Sequence, residues 1–87
     1  MTKTAVYPTI HMNGTSQNSL TDGYMNALNA VQTAMDTLAR VVPHGRDYYP
    51  QGPEAILLAQ TQHREHMGRL NSVVEDLSQI VMHIIRQ

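Results

Sequence analysis

Two short clusters hold the side chains best suited to chemistry. The first is Arg46-Asp47-Tyr48-Tyr49, with His44 two residues before it. A guanidinium presents a planar fork of donors that matches phosphate or carboxylate. Tyrosine rings offer flat faces for a base and a hydroxyl that can hydrogen-bond. That set suits holding a nucleotide-like anion. The same residues also allow a loop that packs itself, with Arg46 paired to Asp47 or Glu54 and the tyrosines lidding the end of a hairpin.

The second cluster is His63-Arg64-Glu65-His66, followed by Arg69 and Asn71. Two imidazoles three residues apart on a helix can chelate a divalent ion. The metalloprotease spacing, two His four apart with Glu after the first, is absent, and a third ligand would have to come from another element. The alternative puts His63 at the polar end of a helix seam and His66 in a subunit interface, so no metal is assigned. Arg64, Arg69 and Asn71 either line an anion site across an oligomer interface or form a solvated face. None of Ser16, Ser19, Ser72 and Ser78 sits in a strained Gly-x-Ser-x-Gly context, and no glycine loop with Lys precedes a helix. The pattern reads as a non-enzyme without a cofactor.

Composition limits what can position these groups. A chain of 87 residues is at most one domain. Its hydrophobic content of 41% exceeds that of a disordered tail. With no Phe and no Trp, the core must come from Leu, Ile, Val, Met and Ala, which favours helix on helix. The formal charge of −1 argues against binding a nucleic acid duplex, which selects for a basic excess. Zero Cys removes disulfides and thiolate chemistry. The first residues have no apolar core of signal-peptide length, and no apolar run approaches the roughly 18 residues of a membrane span, so no membrane is expected.

The interior has one dense group of turn residues, from Pro43 through Gly45, Pro50 and Gly52 to Pro53. Helical periodicity flanks it on both sides. Tyr24, Leu28, Val31, Met35, Leu38 and Val42 alternate spacings of four and three, a coiled-coil-like stripe. Ala27, Ala30 and Ala34 lie beside it and allow close approach. Ser19 is expected to cap this helix, and Pro43 to end it at Val42. Pro53-Glu54 opens the second helix, whose seam reads Ile56, Gln60, His63, Met67, Leu70, Val74, Leu77, Val81 and Ile84. A second stripe, Ala59, His66, Val73 and Ile80, repeats every seven residues.

The expected fold is therefore all-α: an antiparallel two-helix hairpin over 19–87, with helices 19–42 and 53–86 and a linker 43–52. An extended N-terminal arm, 1–18, precedes it, with Asn13-Gly14 as a turn. Helices of ~35 and ~50 Å would leave the last turns of the second overhanging, carrying Val81, Met82, Ile84 and Ile85. Two helices bury little surface at this size, so assembly into a homo-oligomer is expected, with copies packing through the second stripe and the overhanging end, or the N-terminal arm covering that end.

The arm Tyr7-Pro8-Thr9-Ile10-His11-Met12, the linker Gly45-Arg46-Asp47-Tyr48-Tyr49-Pro50-Gln51-Gly52 and the helix containing His63 to Leu70 resemble small uncharacterised phage and prophage proteins over nearly the whole chain. More distantly, the hairpin layout, the small size and the Pro-x-x-Arg linker (Pro43 to Arg46) are similar to the phage sponges that sequester cyclic-nucleotide immune signals, the anti-CBASS and anti-Thoeris sponges. That likeness implies a non-enzymatic hairpin in the host cytoplasm. It would form homo-oligomers, often hexamers, with pockets between subunits for a cyclic nucleotide or other nucleotide-derived signal. Arg46 would then contact phosphate and Tyr48 and Tyr49 would cover a base. His44, His63, Arg64, His66 and Arg69 would complete the pocket. The rival expectation is a small phage structural or host-protein-binding module without a small-molecule ligand.

Overall fold

A computed structural model describes residues 6–87; the part of the expected arm before residue 6 lies outside them. Two α-helices form an antiparallel hairpin, α1 (Gln17–Ala39) and α2 (Pro53–Ile85). Two 3-10 turns, Gly45–Asp47 and Tyr49–Gln51, shape the connection between them. No strand occurs among the described residues. Residues 6–16 carry no regular element beyond a turn at 12–13, closed by the Gly14 N–H donating to the His11 carbonyl (3.1 Å).

The periodicity translates into packing residue by residue. Leu28, Val81 and Ile84 are buried, and the other seam positions on α2, Ile56 through Leu77, are half-buried. On α1, Tyr24, Val31, Met35 and Leu38 follow the same rule.

The helix ends depart from the expected ones. Ser16, not Ser19, caps α1: its Oγ accepts from the Ser19 N–H at 3.2 Å, from an extended backbone. Both serines suit the role locally. A tertiary contact favours the earlier start, because Gln17 in the first turn donates from Nε2 to the Ile84 carbonyl (2.8 Å) at the end of α2. At its other end α1 stops at Ala39, three residues short of Val42. The Arg40 and Val41 N–H groups bond three residues back, to Thr37 and Leu38, so the last turn tightens and the helix ends. Pro43 excludes helical geometry at Val42, and the β-branched pair Val41-Val42 gains little from continuing. Val42 thus leaves the seam and is exposed.

Both shifts place α1 ~3–5 Å nearer the C-terminal end of α2, and with the linker running beside the first turns of α2 the expected overhang moves. Val81 and Ile84 are among the most enclosed side chains in the chain, although Met82 and Ile85 stay exposed. The segment before α1 lies over this end. The Tyr7 ring stacks on His83 (centroids 4.6 Å apart), the Ile10 N–H donates to Gln87 Oε1 (2.8 Å), and Gln87 Nε2 donates to the Pro8 carbonyl (2.9 Å). The unmatched length is instead at the start of α2. Helices of 23 and 33 residues differ by ~15 Å. Leu38 and Val41, at the end of α1, share a groove with Leu70, well inside α2. Among the described residues, the linker lies alongside the turns of α2 before that level.

α2 starts as expected at Pro53, whose fixed φ and missing N–H suit the first helical position. The entry depends on Gly52, which has φ +102°. A Cβ there would meet nothing within 4 Å, so conformation alone demands glycine. Gly52→Ala should therefore cost about 1–3 kcal/mol in urea unfolding, although it removes no contact. Ser16→Ala should cost about 1 kcal/mol, and Ser19→Ala, with its side chain outside the cap, a few tenths. Equal costs at the two serines would contradict the observed cap.

Candidate functional site

The linker is a shaped loop. Four consecutive backbone bonds hold it: Asp47 N–H to His44 O, Tyr48 to Gly45, Gln51 to Tyr48 and Gly52 to Tyr49, all between 2.9 and 3.2 Å. His44 and Arg46 are exposed, and so are Asp47 and Glu54. The two tyrosines differ: Tyr48 is half-buried, whereas Tyr49 is 77% exposed. They do not present one continuous aromatic platform.

On α2, His63 lies half-buried in the seam, while Arg64, His66 and Arg69 are exposed. At about 100° per residue, Arg64 points about 160° away from His66 and about 140° away from Arg69. One copy of the chain therefore cannot direct all four groups into one pocket. Arg64 shares its flank with Asn71, seven residues on, and these two take local partners. Arg64 Nη2 donates to Thr61 Oγ1 and Asn71 Nδ2 to Glu75 Oε1, both at 3.2 Å. Arg69 lies on the opposite flank from Asn71, so the three-residue anion site does not form within one chain.

Shallow grooves run along the hairpin among the described residues. One of about 350 Å³ is lined by Gln32, Met35, Asp36, Asn71 and Val74. On the opposite face, one of about 470 Å³ is lined by Ala34, Thr37, Leu38, Val41 and Leu70. Another, of about 290 Å³, is lined by Ser19, Leu20, Gly23, Tyr24 and Ala27. None of the eight residues singled out from the sequence lines them. Among the described residues, no buried side-chain polar atom lacks a hydrogen-bond partner, so no buried donor or acceptor is held in reserve for a ligand. No group of three or more His, Asp or Glu side chains converges there as a metal site either. No helix is long and apolar enough to cross a membrane.

Two contacting groups were missed from the sequence, Gln17 and the Tyr7–His83 stack. Each joins positions more than sixty residues apart, and no local spacing signals such a pair. The chain matches no family model, no curated protein and no solved structure.

Because Arg64 and Arg69 are exposed on α2, Arg64→Ala and Arg69→Ala should each shift unfolding free energy by less than about 0.5 kcal/mol. Ile84→Ala, at a fully buried position, should cost about 2–5 kcal/mol in the same urea titration. A large loss at either arginine would mean that the residue is enclosed in the working state.

Proposed function

We propose that this chain is a non-enzymatic binding module that works as an assembly of hairpins and captures a nucleotide-derived anion. The observation that carries the proposal is the size of the core. Among the described residues three side chains are enclosed, few for a chain of 87 residues, and twelve large apolar side chains are exposed. Association of copies covers that surface.

The linker supports the ligand class. His44, Arg46 and Tyr49 stand exposed on a loop pinned by its own backbone bonds, so little ordering entropy is lost when they close on a ligand. A guanidinium and an accessible phenol ring suit phosphate and base together. Sequestration of a cyclic nucleotide immune signal, as in the phage sponges the hairpin resembles, is the role these parts fit. Holding the ligand requires no general base or nucleophile.

A thermal-shift panel of cyclic di- and trinucleotides and adenosine-diphosphate-ribose isomers tests this. A true ligand at 100-fold over its Kd stabilises by about 2.7 kcal/mol, roughly 10 °C or more for a chain of this size. Arg46→Ala should abolish most of that shift while leaving the unliganded midpoint nearly unchanged. No shift with any member at millimolar concentration removes the nucleotide reading.

One observation favours a second reading, a protein-binding module without a small ligand. Leu57 and Leu58, adjacent on the early turns of α2, are each 62% exposed. A stoichiometric protein partner that is lost with Leu57→Glu but retained with Arg46→Ala would support that reading over the first.

A further inference from the structure

We infer that one face of the hairpin, formed by matching flanks of α1 and α2, docks against the same face of a second copy to make a closed four-helix dimer. The inference rests on the self-association in the proposed function and names the surface that carries it. The grooves identify the face. Leu70 lines one with Ala34 and Val41, whereas Asn71 and Val74 line the one on the other side with Gln32 and Asp36. The alanine flank of α1 and the Leu70 side of α2 therefore belong to one surface. At about 100° per residue, Gly23, Ala27, Ala30 and Ala34 fall on that flank of α1. Val73 and Ile80 fall on the corresponding flank of α2, with His66 in line with them.

The two flanks complement one another. The small residues leave a channel along α1, which widens into hollows of about 290 and 470 Å³ on either side of Ala30. Val73, 41% exposed, and Ile80 form a ridge on α2 with the seven-residue spacing that separates Ala27 from Ala34. A two-fold axis seats the α2 ridge of each copy in the α1 channel of the other, making both contacts at once. Two hairpins joined this way give a four-helix bundle. No charged side chain stands among these flank positions; Arg69 and Asp76 lie at the rim.

The area agrees. A compact monomer of 9.7 kDa exposes about 5,100 Å². This chain exposes 6762 Å² and has a radius of gyration of 18.4 Å, against about 12 Å for a compact chain of its length. The excess of roughly 1,600 Å² exceeds the ~800 Å² that each partner contributes to a standard stable interface.

Because the chain contains no Cys, single introduced thiols report the contact without background. Light scattering of the wild-type chain should give twice 9.7 kDa. Ala30→Cys or Ala34→Cys, treated with a short bis-maleimide, should be trapped as a dimer and no larger species. Asn29→Cys and Asp36→Cys, on the opposite flank of α1, should remain single chains. Cross-linking through 29 or 36 with none through 30 or 34 overturns this face while leaving self-association intact. A ladder beyond the dimer overturns the closed pair. A mass of 9.7 kDa in dilute solution overturns the pair and the assembly together, whereas a dimer that shifts with no nucleotide removes only the ligand reading.

Discussion

Two helices side by side share a single seam, and one seam is nearly all the apolar surface this chain can enclose. A third helix would close the open flanks, but among the described residues there is none. The hairpin is consequently 61 Å long and only 17 Å thick, with its best-buried side chains near one end. The shallow grooves follow from the same dimension, since a layer one helix deep encloses little volume.

The two ends of the molecule differ for a reason that begins at Gln17. Its amide donates to the Ile84 carbonyl at the C-terminal end of α2, which also accepts the Gln87 N–H, and so ties the start of α1 to that level. The segment before α1 then closes over the same end through Tyr7, Pro8 and Ile10. The far end has no such closure. There the linker bridges the height difference with two 3-10 turns and hands over to α2 through the positive φ of Gly52. The exposed apolar pair Leu57-Leu58 and the cationic and aromatic linker residues therefore sit at the less enclosed pole. Enclosure at one pole and available chemistry at the other share one cause, the vertical offset of α1.

The seam was legible because four-and-three spacing reports directly which side chains face a neighbouring helix. Every seam position on α2, from Ile56 to Ile84, is buried or half-buried, His63 and Gln60 included. Pro53 after Gly52 was legible for the same local reason: each residue has a specific backbone demand at a helix start. The heights of the helices were not legible. Ser16 and Ser19 are equally good caps, and only a contact sixty-seven residues away separates them. The shifted ends of α1 account for only ~3–5 Å of the offset, and the rest comes from the linker running beside the first turns of α2. The candidate site suffered more, because composition brings Arg, His and Tyr close in sequence without saying on which side of a helix each emerges.

Direction is also what separates the two arginines of α2. Arg64 shares a flank with Asn71 and the polar groove of Gln32 and Asp36, while Arg69 borders the apolar flank of Val73 and Ile80. A lone hairpin keeps them apart, because a helix is rigid and no rotamer covers ~140° of its circumference. In a dimer docked through that apolar flank, Arg69 of each copy borders the interface while Arg64 stays on the outer face, so an anion held between copies would meet Arg69 and not Arg64. Ligand that binds only the assembled form stabilises it by mass action, and weaker assembly lowers the apparent affinity by the same free energy. Under the proposed reading, assembly and ligand capture would be linked in a single equilibrium.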